Sequence, residues 1–102
     1  MYNIQFTPLA KEDLIRIKVY LEGEFDVKIA SEKIKQLLKS IKRFELYPLM
    51  GRPLMNIIDL PTDYMYFVLE KNYVFYRLEH ETVKIIRIID TRQNYIDILF
   101  DK

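Results

Sequence analysis

The stretch from Tyr64 to Asp90 limits the possible folds more than any other part of the chain. It holds three consecutive runs, Tyr64-Met65-Tyr66-Phe67-Val68-Leu69, Tyr73-Val74-Phe75-Tyr76-Arg77-Leu78 and Val83-Lys84-Ile85-Ile86-Arg87-Ile88-Ile89. Each is rich in aromatic and β-branched residues, which suit a pleated and half-buried surface. The links Glu70-Lys71-Asn72 and Glu79-His80-Glu81-Thr82 are too short for a helical crossover, so the runs predict an antiparallel meander. The rest of the chain must cover this sheet or extend its edges.

Before the meander, Tyr2, Ile4 and Phe6 alternate with polar residues, the period of a strand with one buried face. Thr7 can cap a helix whose first position is Pro8, where a missing N–H leaves nothing unsatisfied. Leu14, Ile17 and Leu21, supported by Leu9 and Ala10, give that helix one apolar stripe, and Gly23 is its predicted stop. Asp26 caps a second helix in which Ala30, Ile34, Leu37, Ile41 and Phe44 recur at alternating spacings of four and three. A short Glu22–Phe25 link makes the two an antiparallel hairpin. Pro48, Gly51, Pro53 and Pro61 mark residues 48–63 as a connecting loop. After Asp90 the pattern predicts a turn and a short helix or tail, with Leu99 and Phe100 plugging the core.

The order predicts one α+β domain over residues 1–102: an N-terminal strand, a helical hairpin, and a three-stranded meander whose sheet packs on the helices. The edge joined by the first strand is left open. Val83, Ile85 and Ile89 are expected on one sheet face and Ile86 and Ile88 on the other. Such a sheet has more apolar surface than one hairpin covers, leaving a groove for a partner segment that folds on binding.

Composition removes several classes of function. There is no cysteine, which excludes disulfides and thiolate metal sites. No apolar run reaches the roughly 18 residues of a membrane span, and Met1-Tyr2-Asn3-Ile4 does not open like a secretory signal, so a soluble cytoplasmic protein is expected. Net charge is +1, yet Lys28, Lys33, Lys35, Lys39, Lys42 and Arg43 face a single acid, Glu32, in the second helix. That surplus suits either a solvated helix face or an acidic partner.

Several short motifs, in order, carry a resemblance. Thr7-Pro8-Leu9-Ala10-Lys11-Glu12-Asp13-Leu14 opens the first helix and Pro48-Leu49-Met50-Gly51-Arg52-Pro53 follows the second. Asn72-Tyr73-Val74-Phe75-Tyr76-Arg77 and the run from Val83 to Tyr95 complete the set. Together they resemble the RelE/ParE superfamily of toxins from bacterial type II toxin-antitoxin modules. The resemblance implies a growth inhibitor silenced by a cognate antitoxin, a short acidic protein expected to bind the apolar groove and the lysine-rich second helix. Contact with promoter DNA is implied only through the antitoxin.

One fold hosts two activities here. RelE-like members cut mRNA in the ribosome, without metal or cofactor, using cations near the scissile phosphate and an acid for the leaving oxygen. On that branch, which is the expectation taken forward, Arg92, Tyr95 and Arg87 are the catalytic candidates, and Arg77, Arg52 and Lys84 are candidates for RNA or target binding. Met65 stands where many relatives carry an arginine, and Asp90 where many place a histidine. ParE-like members poison DNA gyrase and need no catalytic residues. A third reading is a degenerate toxin acting only as an antitoxin-binding co-repressor. Read without the resemblance, Arg77 and Arg87 equally suit cross-strand charges, Tyr64, Tyr66, Tyr73 and Tyr76 suit sheet packing, and His80 suits a turn.

Overall fold

The computed structural model describes residues 1–100. Strand β1 (Asn3–Phe6) leads into α1 (Pro8–Glu24) and α2 (Val27–Lys42), and then a connection opened by a turn of 3₁₀-helix (Arg43–Glu45), with a second such turn (Leu54–Asn56) between the next two strands. Strands β2 (Arg52–Pro53), β3 (Met65–Leu69), β4 (Asn72–Glu79) and β5 (Thr82–Asp90) follow, and α3 (Tyr95–Phe100) closes the chain. The meander is present as expected, within a five-stranded mixed sheet of order β1-β5-β4-β3-β2.

Two strands add to the meander. β1 lies parallel to β5, with Ile4 opposite Val83 and Phe6 opposite Ile85. Within the expected loop, Arg52 and Pro53 pair antiparallel with Tyr66 and Met65. Proline is tolerated there because the strand is an edge and its missing N–H faces no neighbour.

Thr7 caps α1 by accepting a hydrogen bond from the Ala10 N–H (3.1 Å). Asp26 does the same for α2 through the Ile29 N–H (2.8 Å). The helix link is shorter than expected. α1 runs through Gly23 to Glu24, and no glycine takes a positive φ, because Phe25 is extended and Asp26 already caps the next helix. Leu9 is exposed rather than part of the inward stripe, whereas Ala10 is fully buried.

A core between the hairpin and one sheet face is built from Ala10, Ile41, Phe44, Val74, Tyr76, Val83, Ile85 and Ile88. A second cluster, Leu54, Phe75 and Ile89, lies on the other face beneath α3. Helices therefore cover both faces, and Leu99 and Phe100 pack half-buried on the outer one. The expected alternation in β5 is also corrected. Tyr76 pairs with Ile85 while Phe75 pairs with Arg87, so Ile86 is an extra residue. This bulge shifts the parity, putting Ile88 with Val83 and Ile85 toward the hairpin and Ile89 on the outer face.

Tyr76 ties the connection to the core. Its ring lies 4.5 Å from that of Phe44, its hydroxyl donates to the Pro48 carbonyl (2.9 Å), and the Gly51 N–H donates to it (3.0 Å). A Cβ at Gly51 would stand 2.5 Å from that hydroxyl and 2.6 Å from the Tyr66 carbonyl, so only glycine fits without displacement.

Candidate functional site

β1 ends at Phe6, which leaves the remaining edge of β5 without a strand neighbour. The start of α1 takes over. The Thr7 N–H donates to the Ile85 carbonyl, and the Thr7 hydroxyl donates to the carbonyl of the bulged Ile86 (2.8 Å). Nearly two turns later the carboxylate of Asp13, only 1% exposed, accepts the Ile88 N–H at 2.9 Å. The same carboxylate receives Arg87 in bidentate fashion, Nε at 2.8 Å and Nη2 at 2.9 Å, and Arg16 Nη1 at 2.9 Å. The hydrogen bond and charge of Asp13 hold the Arg87 guanidinium strongly protonated. Arg87, a catalytic candidate, is thus bound to the carboxylate that docks α1 on the sheet. Asp13 was not foreseen as important. Its signal was an acid three residues after Ala10 and four before Ile17, on the helix's inward stripe.

Between the hairpin and the β3–β4 end of the sheet lies a cleft of about 690 Å³, with Ile17, Leu21, Ile34, Leu37, Leu69 and Ile88 among its apolar lining. Arg16, Lys33, Lys71 and Arg92 bring cations to it, and Asp13, Glu24, Glu70 and Asp90 bring acids. Arg92 is locked to Asp90, with Nε and Nη2 each 2.9 Å from a carboxylate oxygen and the Arg92 N–H donating to the same group at 2.8 Å. These hydrogen bonds hold the Asp90 carboxyl down to about 2. Asp90, followed by the Tyr20 hydroxyl, raises the affinity of Arg92 for its proton. The pair lies at the rim, with the Arg92 side chain 70% exposed.

Tyr95 lies on the opposite face. Its ring sits 5.2 Å from Tyr73 and 5.3 Å from Phe75, in the aromatic layer that holds α3 to the sheet. Burial, with Tyr73 and Tyr66 nearby, pushes the Tyr95 phenol up, away from the range of an acid or base at neutral pH. Arg92 and Tyr95 are therefore held in separate surroundings, one in the cleft and one in the outer aromatic layer. Arg77 and Lys84 are cross-strand partners sharing Glu79 at 3.5 Å each, and Arg77 also meets Asp63 at 3.4 Å. Arg52 is exposed at the sheet edge opposite Tyr66. His80 has a φ of 55° in the β4–β5 turn, a local backbone role. Among the described residues no three histidine, cysteine, aspartate or glutamate side chains group closely enough to hold a metal. No helix among them is long and apolar enough to cross a membrane.

Comparison with known proteins defines the class. The sequence profile of the ParE toxin of type II toxin-antitoxin systems of the parDE kind matches residues 4–95, and the chain belongs to that family. No curated protein matches the chain closely enough to count as a relative. Among solved structures, one from a chromosomal ParDE toxin-antitoxin system of P. aeruginosa superposes with a TM-score of 0.75 at 19% identity, covering 88% of this chain and 96% of that one. One from the RelBE2 toxin-antitoxin complex of Mycobacterium tuberculosis superposes with a TM-score of 0.52 at 21% identity, covering 87% and 96%. At these identities the two structures show the shared RelE/ParE fold.

Proposed function

We propose that this toxin stops growth by binding a protein, with DNA gyrase as its target, and not by cutting RNA. The observation that carries the reading is the state of the candidate catalytic groups. Arg87 is bidentate to buried Asp13, Arg92 is bidentate to Asp90, and Tyr95 is packed among aromatic rings on the other face of the sheet. Metal-free RNA cleavage needs cations free to meet developing charge on phosphate, together with an acid and a base near the same bond. A poison needs only a shaped surface, and membership of the ParE family adds to this reading. The test is purified gyrase with supercoiled plasmid: added toxin should accumulate gyrase-cleaved DNA in a dose-dependent manner. Full gyrase activity at saturating toxin, together with mRNA cleavage in a translating extract, would return the nuclease to first place.

The partner follows from the cleft. Its apolar lining, with Lys33 and Lys71 outside any ion pair among the described residues, suits a short acidic segment of a cognate antitoxin that orders on binding. Both solved structures above come from toxin-antitoxin systems, which supports such a partner here. Co-expression with the neighbouring gene product should give a complex that co-elutes. Charge reversal at Lys33 and Lys71 should weaken that complex and make it less sensitive to salt.

A further inference from the structure

The connection after α2 contains a built surface that neither the cleft nor the core uses. Leu46, Tyr47 and Leu49 are 65%, 59% and 69% exposed, three large apolar side chains within four positions. With Arg43, Pro48 and Met50 they line a shallow depression of about 560 Å³, and no residue lines both this depression and the cleft.

The segment is held in place. The Leu46 and Tyr47 N–H groups both donate to the Arg43 carbonyl, and the Met50 N–H donates to the Tyr47 carbonyl. Tyr76, fully buried, then grips Pro48 and Gly51 from below. Exposed apolar side chains on so well tied a turn are preorganised for contact, which lowers the entropy lost on binding. The approach to it is basic: Lys39 and Lys42 lie in the last turn of α2 and Arg43 lines the depression, with Glu45 the one acid between Glu32 and Asp59. Among the described residues none of these three cations forms an ion pair.

We propose that the Arg43–Met50 turn is the surface through which this toxin grips its growth target, a protein surface that offers an apolar side chain flanked by carboxylates. The inference rests on the non-enzymatic reading above. It assigns target binding to a different part of the molecule from the cleft given to the antitoxin. The apolar side chain fills the depression, and the carboxylates meet Arg43 and the last turn of α2.

The test compares the full chain with a Leu46→Ser/Leu49→Ser variant and with Arg43→Glu, all at exposed positions. Each is induced in a bacterial host, co-purified with the antitoxin, and assayed for retention of purified gyrase, of anionic phospholipid vesicles and of plasmid DNA. Both variants should co-elute with the antitoxin and melt with the parent while losing growth arrest, and their gyrase retention should fall roughly tenfold or more. Loss of arrest in both variants while the parent itself fails to retain gyrase would support the surface and reject gyrase, pointing to another protein target. Undiminished arrest in the variants overturns the proposal. So does parental binding to vesicles or DNA that the same substitutions abolish.

Discussion

Asp13 carries more structure than any other single side chain. It is almost fully buried, yet it satisfies two arginines and the Ile88 N–H that the short β1 leaves without a partner. Replacing Asp13 with alanine leaves a half-buried guanidinium and a buried amide without their partner, and should lower stability by about 3 kcal/mol in urea unfolding. Arg87→Met should be milder, since the Asp13 carboxylate keeps Arg16 and the Ile88 N–H as partners. Tyr76→Phe leaves the Pro48 carbonyl and Gly51 N–H unpaired and should cost about 1–3 kcal/mol. The Asp90–Arg92 pair makes a pH prediction. Asp90 is lowered from 3.8 to about 2 in the folded chain, so its contribution to stability is complete above the unfolded value and is lost as pH falls toward about 2. The stability difference between the parent and Arg92→Gln should be flat near neutrality and close over that acid window. A difference that grows on acidification would contradict the pairing.

At the scale of elements, two turns and one bulge set the sheet. Glu70 and His80 adopt φ values of 53° and 55°, a region that penalises a Cβ. Glycine at either position should raise stability by about 0.5–1 kcal/mol, measured as a higher denaturation midpoint with an unchanged slope. The meander and both helices were legible because hydrophobic period and capping residues are local signals. The Thr7 cap and the Asp26 cap fall where the sequence placed them. The bulge at Ile86 was not legible, because the groups that meet the edge of β5 there, Thr7 and Asp13, come from the far end of the chain. That arrangement spans more than 70 residues of sequence, and no local pattern in β5 reports it. The same distance concealed the pairing of Asp13 with Arg87. Arg92 and Tyr95, three apart in the chain, read as one constellation, but the turn before α3 sends them to opposite sides of the sheet.

Considered whole, the molecule separates its surfaces. The hairpin and sheet enclose a cleft with an apolar lining and cations, α3 seals the outer aromatic layer, and the connection after α2 presents exposed apolar side chains beside unpaired cations. A protein that is held by one partner and acts on another requires such a division. On the function proposed above, the toxin disables a protein that manages DNA and leaves messenger RNA intact. Pulse-labelling of DNA and protein synthesis side by side, in the first minutes after induction without antitoxin, tests it most directly. DNA synthesis should fail first, with an induced damage response, while protein synthesis continues. Prompt loss of protein synthesis with truncated mRNAs, abolished by replacing Arg92 and Tyr95, would contradict it.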